Sequence, residues 1–184
     1  MSEPKLSKAQ LRAVQQHKLQ VFFEQSTADA IINQLYRQLF ADPDYLNSQL
    51  IGVTLSMAGE LNTAPIISYS KQQHKQIAVP RTLPKRQMEF VLLEADTQFV
   101  TTPFGTTEPK GGHVVDKTSL DALIVPGLAF AKNHYRVGFG GGFYDRYLAG
   151  FSGKSISLAL PPQLYETPIW PTEAHDMLID KLIY

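Results

Sequence analysis

The chain has 184 residues, 43% of them hydrophobic and 18% charged, a balance typical of one globular domain and not of a disordered chain. Seventeen basic residues balance seventeen acidic ones, so no net field attracts nucleic acid or an anionic membrane. The absence of cysteine excludes disulfides, thiolate catalysis and zinc–thiolate sites. We therefore expect one domain over residues 1–184, acting as a monomer on small molecules.

The first residues lack the apolar segment of a signal peptide. No run in the chain approaches the roughly 18 apolar residues of a membrane span. The predicted location is therefore the cytoplasm.

Three segments have helical periodicity. The first covers residues 5–25, which contain no helix breaker. A second helix is predicted over residues 28–40, with Ser26 or Thr27 as its N-cap and Pro43 beyond its end. Thr63 and Pro65 suit the start of a third helix, which runs to about His74.

Short apolar runs between these helices predict buried strands at residues 50–56, 76–82, 155–160 and 176–184. The strongest such run covers residues 120–130 and is ended by Pro126-Gly127. Residues 87–95 and 97–103 alternate more loosely, and we expect them to pair with each other as an antiparallel appendage. Because strands alternate with helices, the predicted class is α/β with a largely parallel sheet.

Two loops follow strong predicted strands, at residues 56–62 and 126–142. In open parallel sheets, ligands bind beyond the carboxyl ends of the strands. These two loops also hold the most unusual residues of the chain, so they are the predicted site.

The second loop contains "RVGFGGGFYDRYL", residues 136–148, with four of the twelve glycines in five positions. Glycines allow positive φ, and consecutive amides in such a turn can converge on an anion at the start of a helix. Arg136 and Lys132 lie nearby. The stretch is no Walker A loop or dinucleotide fingerprint, because Phe143-Tyr144 follows the last glycine. This pattern alone leaves a phosphate loop and a plain tight turn equally open.

The longer stretch "LIVPGLAFAKNHYRVGFGGGFYDRYL", residues 123–148, resembles the signature region of the 5-formyltetrahydrofolate cyclo-ligase family. That signature reads as a strand, "PG.AFD..G.RLG.GGGYYDR.L", and a helix. Similar segments follow the family's order along almost the whole chain, namely "KAQLR" (8–12), "LSMAGELNT" (55–63), "TEP" (107–109) and "HDMLID" (175–180).

The resemblance implies a three-layer α/β/α fold with a mostly parallel, Rossmann-like central sheet (NagB/RpiA/CoA-transferase-like). It also implies an ATP- and magnesium-dependent ligase that converts 5-formyltetrahydrofolate to 5,10-methenyltetrahydrofolate. In that reaction ATP phosphorylates the formyl oxygen, the nitrogen at position 10 attacks the activated carbon, and ADP and phosphate are released.

The resemblance also implies the site residues. ATP contacts are expected at Lys8, Arg12, Arg136, Val137, Gly138, Phe139, Gly140, Gly141, Gly142, Phe143 and Tyr144. Folate contacts are expected at Leu55, Glu60, Phe143 and Tyr144. Asp145 and Asp176 match the magnesium ligands, and Arg136 and Asp145 are the expected catalytic residues.

Ordinary structural roles compete with several of these assignments. Lys8 and Arg12 are spaced i, i+4, which by itself favours a solvated basic helix face. Asp145 in a first helical turn also suits the helix dipole. Phe143 replaces the family's first tyrosine of "YYD", so it keeps a ring without the hydroxyl and is as suited to packing as to stacking on folate.

Two other functions stay open at this point. One is a nucleotide- or folate-binding module without turnover, which would not need a pair of magnesium ligands. The other is a sugar-phosphate isomerase-like enzyme on a similar scaffold, which would leave the Lys8/Arg12 pair unexplained.

Overall fold

A computed structural model describes residues 6–184. The helices are α1 (Lys8–Phe23), α2 (Ala28–Ala41), α3 (Pro43–Asn47), α4 (Ala64–Gln72) and α5 (Phe143–Leu148). The strands are β1 (Leu50–Val53), β2 (Gln76–Leu83), β3 (Gln87–Leu92), β4 (Phe99–Thr101), β5 (Thr107–Pro109), β6 (Val114–Val115), β7 (Ala122–Ile124), β8 (Ala129–Ala131), β9 (Arg136–Val137), β10 (Lys154–Leu158), β11 (Leu164–Tyr165) and β12 (Lys181–Ile183). Within the described residues, no helix is long and apolar enough to cross a bilayer.

Helix α1 begins with a capping box. The Ser7 hydroxyl accepts a hydrogen bond from the Gln10 amide, and the Gln10 side chain accepts one from the Ser7 amide. This pairing satisfies two amides that the first turn leaves without partners. The predicted first helix is confirmed, although its predicted start at Lys5 lies outside the described residues.

The predicted second helix is also confirmed, and one of its two expected N-cap residues occupies the cap position. Thr27 stands at the N-cap position of α2 and makes no side-chain capping bond. Pro43 lies beyond the end of α2, as expected, and it opens α3, with the Asp42 carboxylate accepting from the amides of Asp44 and Tyr45. Proline suits the first turn of a helix as well as the residues after one, so the pattern fitted both positions.

Seven strands form the main sheet in the order β12-β10-β7-β1-β2-β3-β6. The five strands from β12 to β2 are parallel, which confirms the predicted α/β class. The predicted strand over residues 120–130 is divided at Pro126-Gly127. Its first part is β7 in this sheet, and its last part, β8, belongs to a small sheet ordered β11-β8-β9.

The expected pairing of residues 87–95 with 97–103 is wrong. Strand β3 pairs antiparallel with β2 on one side and with β6 on the other, at the edge of the main sheet. Strand β4 pairs with β5 in a separate hairpin. The physical reason is burial, since Phe90 and Val91 of β3 are enclosed in the core whereas all three residues of β4 are exposed.

The core lies on both faces of the main sheet. Ile51 and Val53 of β1 face a large cluster that includes residues of α1, α2, α3 and α4. Leu123 of β7 and Phe90 of β3 face a second cluster that includes Tyr147 and Leu148 of α5. Alternate residues of a strand point to opposite faces, so helices cover the sheet on both sides in three layers.

We expect Gly52→Ala to lower the free energy of unfolding by about 1–3 kcal/mol, because it overpacks a full core. A Cβ at residue 52 would lie 2.3 Å from Leu123 Cδ2 and 2.8 Å from Phe90 Cε1. Urea denaturation measures this loss. In the control Gly105→Ala the new Cβ meets nothing within 4 Å, so that variant reports only the strain of a positive φ. Unchanged stability in Gly52→Ala would contradict the packing described.

Candidate active site

The two predicted loops meet at one edge of the sheet. Strands β1 and β7 are parallel neighbours, so the loops that leave their carboxyl ends emerge side by side. The Thr54 hydroxyl, just after β1, shares a hydrogen bond with the hydroxyl of Tyr144 in α5. The two loops that were predicted to form the site therefore lie next to each other in the structure.

Three consecutive carbonyl groups after β7 are held by side chains from three different elements. Arg136 Nη1 lies 3.4 Å from the Pro126 oxygen, Gln163 Nε2 donates to Gly127 O at 2.7 Å, and Gln15 Nε2 donates to Leu128 O at 2.9 Å. Buried carbonyls without a strand partner need such bonds. These contacts hold the segment that leads into the glycine loop.

Arg136 is buried, which the sequence did not indicate. Its side chain is 3% exposed, and its Nη2 lies 3.2 Å from Asp145 Oδ1. Its Nε has no hydrogen-bond partner among the described residues. Burial lowers the pKa of the guanidinium, and the carboxylates of Asp145 and Asp176 act in the opposite direction. Arginine stays charged in proteins, so a cation is held at the base of the glycine loop.

Glycines leave room for the arginine side chains beside this loop. A Cβ at Gly138 would lie 2.6 Å from Arg136 Nη1. At Gly140, where φ is +104°, a Cβ would come within 3.2 Å of Arg12 Cζ. The two glycines thus allow two guanidinium groups to lie directly against the loop backbone.

Helix α1 brings its basic residues to this place. Arg12 Nε donates to Gly138 O at 2.7 Å. Lys8 Nζ contacts Asp176 Oδ1 at 2.6 Å and Glu173 Oε2 at 2.7 Å. Burial alone would lower the pKa of Lys8, but its hydrogen bonds to the two carboxylates outweigh that effect, and the pKa is raised. Lys8 and Arg12 are therefore not a solvated basic face.

Lys132, expected to help form a phosphate cradle, is directed elsewhere. Its Nζ pairs with Glu166 at 2.5 Å and lies 5.6 Å from the centre of the Tyr184 ring. No side-chain hydrogen bond joins it to the glycine loop among residues 6–184, so its part in a phosphate cradle stays a prediction.

The two predicted magnesium ligands lie close in space although they are far apart in sequence. Asp145 Oδ1 accepts a hydrogen bond at 3.2 Å from the amide of Met177, the residue after Asp176. Glu173, His175 and Asp176 offer ligand atoms within 4.8 Å of one another, and Asp145 is not in that group.

This donor set fits a hard cation. Carboxylate oxygens suit magnesium, which needs only one or two of them beside phosphate oxygens and water. The Lys8 ammonium bridges Asp176 and Glu173, so these two carboxylates already bind one positive charge.

Glu60 lies in the loop after β1, which is closed by a reciprocal pair of hydrogen bonds. The Ser56 amide donates to Thr63 Oγ1, and the Thr63 amide donates to Ser56 Oγ, each at 3.1 Å. Between them, the Met57 amide donates to Glu60 Oε2 at 2.6 Å. Burial raises the pKa of Glu60, and the Met57 hydrogen bond only partly offsets this. An acid held half-buried in this way suits a ligand with N–H donors.

The aromatic residues after the glycines differ from each other. Tyr144 lies with its ring 5.8 Å from Arg136 Cζ, and burial raises the pKa of its hydroxyl to about 12. Phe143 packs against the hydrophobic cluster that contains Leu123, and its ring covers Gly141. Leu55 packs against the opposite cluster. Phe143 and Leu55 thus have packing roles in this structure.

The remaining glycine-loop positions fall into two groups. Val137 is buried in β9, while Phe139 and Gly140 are exposed at the tip. Two grooves of the described chain lie elsewhere. One runs between α1 and Pro161-Pro162, and the other between α2 and α4. The candidate site is marked by its converging charges.

Four residues of this site were not among the predicted ones, namely Gln15, Thr54, Gln163 and Glu173. Gln15 does carry a signal, because it lies on the buried face of α1 with Leu11 and Leu19 and is itself 0% exposed. A polar residue at such a position must have internal partners. No local pattern marks the other three, whose partners lie far away in sequence.

The fold and the converging loops define an α/β protein with a cluster of charged side chains beside its glycine loop. The sequence matches the 5-formyltetrahydrofolate cyclo-ligase family over residues 4–184. The chain therefore belongs to this family of ligases, as the resemblance of its glycine loop implied.

Two curated proteins illustrate the relationship. The chain is 32% identical over 182 residues to the 5-formyltetrahydrofolate cyclo-ligase of Haemophilus influenzae, covering 96% of this chain and 91% of that protein. It is 30% identical to the mouse protein of the same name, covering 82% of this chain and 80% of the mouse chain.

Two solved structures share the fold. The Aquifex aeolicus 5,10-methenyltetrahydrofolate synthetase superposes with a TM-score of 0.78 at 25% identity, covering 96% of this chain and 88% of that one. The Mycoplasma pneumoniae synthetase has a TM-score of 0.73 at 20% identity, covering 97% and 98% of the two chains. The expected fold class is therefore confirmed.

The raised pKa of Glu60 predicts a pH-dependent effect on stability. Since the folded pKa lies above the unfolded one, the folded state binds more protons between them, and stability falls as pH rises through that window. Glu60→Gln removes this dependence. We expect wild type to lose stability relative to Glu60→Gln as pH rises above the ordinary glutamate pKa of about 4.3.

Urea unfolding at several pH values measures the difference. Glu94→Gln, which changes an exposed glutamate, is the matched control and should give a difference from wild type that does not vary with pH. A pH-independent difference for Glu60→Gln would show that the carboxyl group is not held in a desolvated position.

Proposed function

We propose that the chain converts 5-formyltetrahydrofolate to 5,10-methenyltetrahydrofolate, using ATP and magnesium and releasing ADP and phosphate. The observation that carries this proposal is the convergence of two guanidinium groups on one glycine loop, with a third cation beside them. Arg12 and Arg136 lie against the loop backbone, and Lys8 lies at the neighbouring carboxylates. Membership of the cyclo-ligase family supports the identity of the substrates.

The reaction makes specific demands on the protein. The formyl oxygen attacks the γ-phosphorus while the bond to ADP breaks. The nitrogen at position 10 then attacks the formyl carbon, loses its proton, and displaces phosphate. A formyl oxygen is a weak nucleophile, so catalysis depends on holding it in line and on neutralising the charge of the transferred group. No covalent protein nucleophile is required.

The cations of the site suit the second demand. Arg136 is a preorganised charge, because burial and the Asp145 contact fix its guanidinium before substrate arrives. Lys8 is paired with Asp176 and Glu173 in the free protein. Phosphate oxygens would compete with these carboxylates for the ammonium, so ATP binding would redirect Lys8 toward the nucleotide.

Asp145 and Asp176 would hold magnesium, which when bound offsets negative charge on the phosphate oxygens. Asp145 is already oriented by Arg136 and the Met177 amide through a single oxygen, Oδ1. Its second oxygen makes no hydrogen bond within the described chain, which leaves it available as a ligand.

Glu60 suits the folate. The carboxylate would accept hydrogen bonds from the amino and ring N–H groups of the pterin. Such bonds would replace the hydration that burial removes, and they would lower a pKa that is raised in the free protein.

An absorbance assay tests the function. We expect purified protein with ATP, magnesium and 5-formyltetrahydrofolate to generate the near-ultraviolet absorbance of the methenyl product, and to generate none when ATP or magnesium is omitted. Folate binding without product would favour a binding module instead.

Size-exclusion chromatography tests whether the chain is a monomer. The monomeric state and the single domain both stay predictions.

Asp145→Asn should lower turnover by about 10²–10³-fold, since it removes one charge at the transferring group. The asparagine oxygen can still accept from Arg136 and Met177, but the buried Arg136 loses its ion-pair partner, so the melting temperature should fall as well, and turnover is measured well below it. Asp96→Asn alters an exposed turn carboxylate and is the matched control, with activity expected to equal that of wild type. Undiminished turnover in Asp145→Asn would show that the metal assignment is wrong.

A further inference from the structure

One side-chain hydrogen bond joins the two halves of the site within the described residues. It connects Thr54 Oγ1, in the segment that leads to Glu60, with the hydroxyl of Tyr144, directly after the glycine loop. The segments lie 90 residues apart in sequence. This bond is therefore a direct side-chain connection between residues 54–63 and residues 138–146.

The Thr54 end of this bond is tied to the loop that carries Glu60. The backbone oxygen of Thr54 accepts from Thr63 Oγ1 at 2.6 Å. That hydroxyl also accepts from the Ser56 amide, so the same atom closes the loop around Glu60. The Tyr36 hydroxyl donates to the Asn62 oxygen from α2 and holds the loop from outside.

The Tyr144 end of the bond is tied to the buried cation. The Tyr144 ring lies beneath the Arg136 guanidinium, whose partner is Asp145, the residue after Tyr144. Displacing the Tyr144 hydroxyl would therefore move the ring that lies 5.8 Å from Arg136 Cζ. The hydrogen bond between Thr54 and Tyr144 thus connects the Glu60 loop with the Arg136–Asp145 pair.

We propose that Thr54 is a positioning residue whose hydroxyl couples the Glu60 loop to the glycine-loop side of the site, so that a ligand on one side strengthens binding on the other. A first ligand that orders its loop also restrains the second through the shared bond, and the second ligand then loses less conformational entropy on binding. Coupling of this kind is reciprocal between the two ligands. The identity of those ligands, folate and nucleotide, rests on the proposed function.

Equilibrium binding tests the coupling without any need for turnover. Calorimetry gives the affinity for ADP with magnesium, measured with and without saturating 5-formyltetrahydrofolate, and the ratio of the two affinities is the coupling factor. We expect Thr54→Val to reduce this factor by about fivefold, the size of one neutral hydrogen bond. Thr54→Ser, which keeps the hydroxyl, should retain the wild-type factor.

Two further variants make the test specific. Tyr144→Phe removes the other hydroxyl, and combined with Thr54→Val it should reduce the factor no further than either change alone. Thr167→Val is the matched control, an exposed threonine with no side-chain hydrogen bond to any residue from 6 to 184, and it should leave the factor unchanged. Melting temperatures establish that each variant is folded, and Tyr144→Phe carries the test if Thr54→Val does not fold.

The outcomes separate this inference from the proposed function. Coupling that is absent in wild type, or unchanged in both Thr54→Val and Tyr144→Phe, overturns the positioning role even if the enzyme turns over normally. Additive effects of the two changes overturn it as well. Intact coupling in a protein that forms no methenyl product would support the role of Thr54 and sink the proposed reaction.

Discussion

The buried guanidinium of Arg136 is the constraint around which the site is arranged. A charge removed from water needs compensating partners, and here these are the Asp145 carboxylate and the Pro126 carbonyl. The guanidinium also requires space, which Gly138 provides because it has no side chain. Asp145 can meet Arg136 only where the glycine loop turns back into α5. Loop, helix and carboxylate thus depend on one another.

Helix α1 links this arrangement to the remainder of the fold. Its capping box starts the helix at Lys8, and the side chains at residues 8, 12 and 15 then reach three separate segments that all follow β7 in sequence. Each contact spans more than a hundred residues, so the position of α1 depends on tertiary packing and not on its local sequence. The basic residues of an N-terminal helix become site residues through this packing.

Sequence patterns predicted the positions of helices and strands better than they predicted which strands pair. The strands over residues 87–92 and 99–101 exist where the alternation indicated, but their pairing was predicted wrongly. Alternation shows that a strand has two different faces and says nothing about which neighbour it joins. Similarly, Pro43 and Thr27 were consistent with helix ends and did not determine which hydrogen bonds those ends make.

The sequence alone determined the α/β class, the order of most helices and strands, and the family to which the glycine loop belongs. Local periodicity and a dense motif are properties of contiguous residues, so they can be read directly. The tertiary structure alone decided that Arg136 is buried, that Lys8 lies at Asp176, and that Thr54 meets Tyr144. These contacts join residues between 9 and 168 positions apart, and their energies depend on burial, which exists only once the chain has packed.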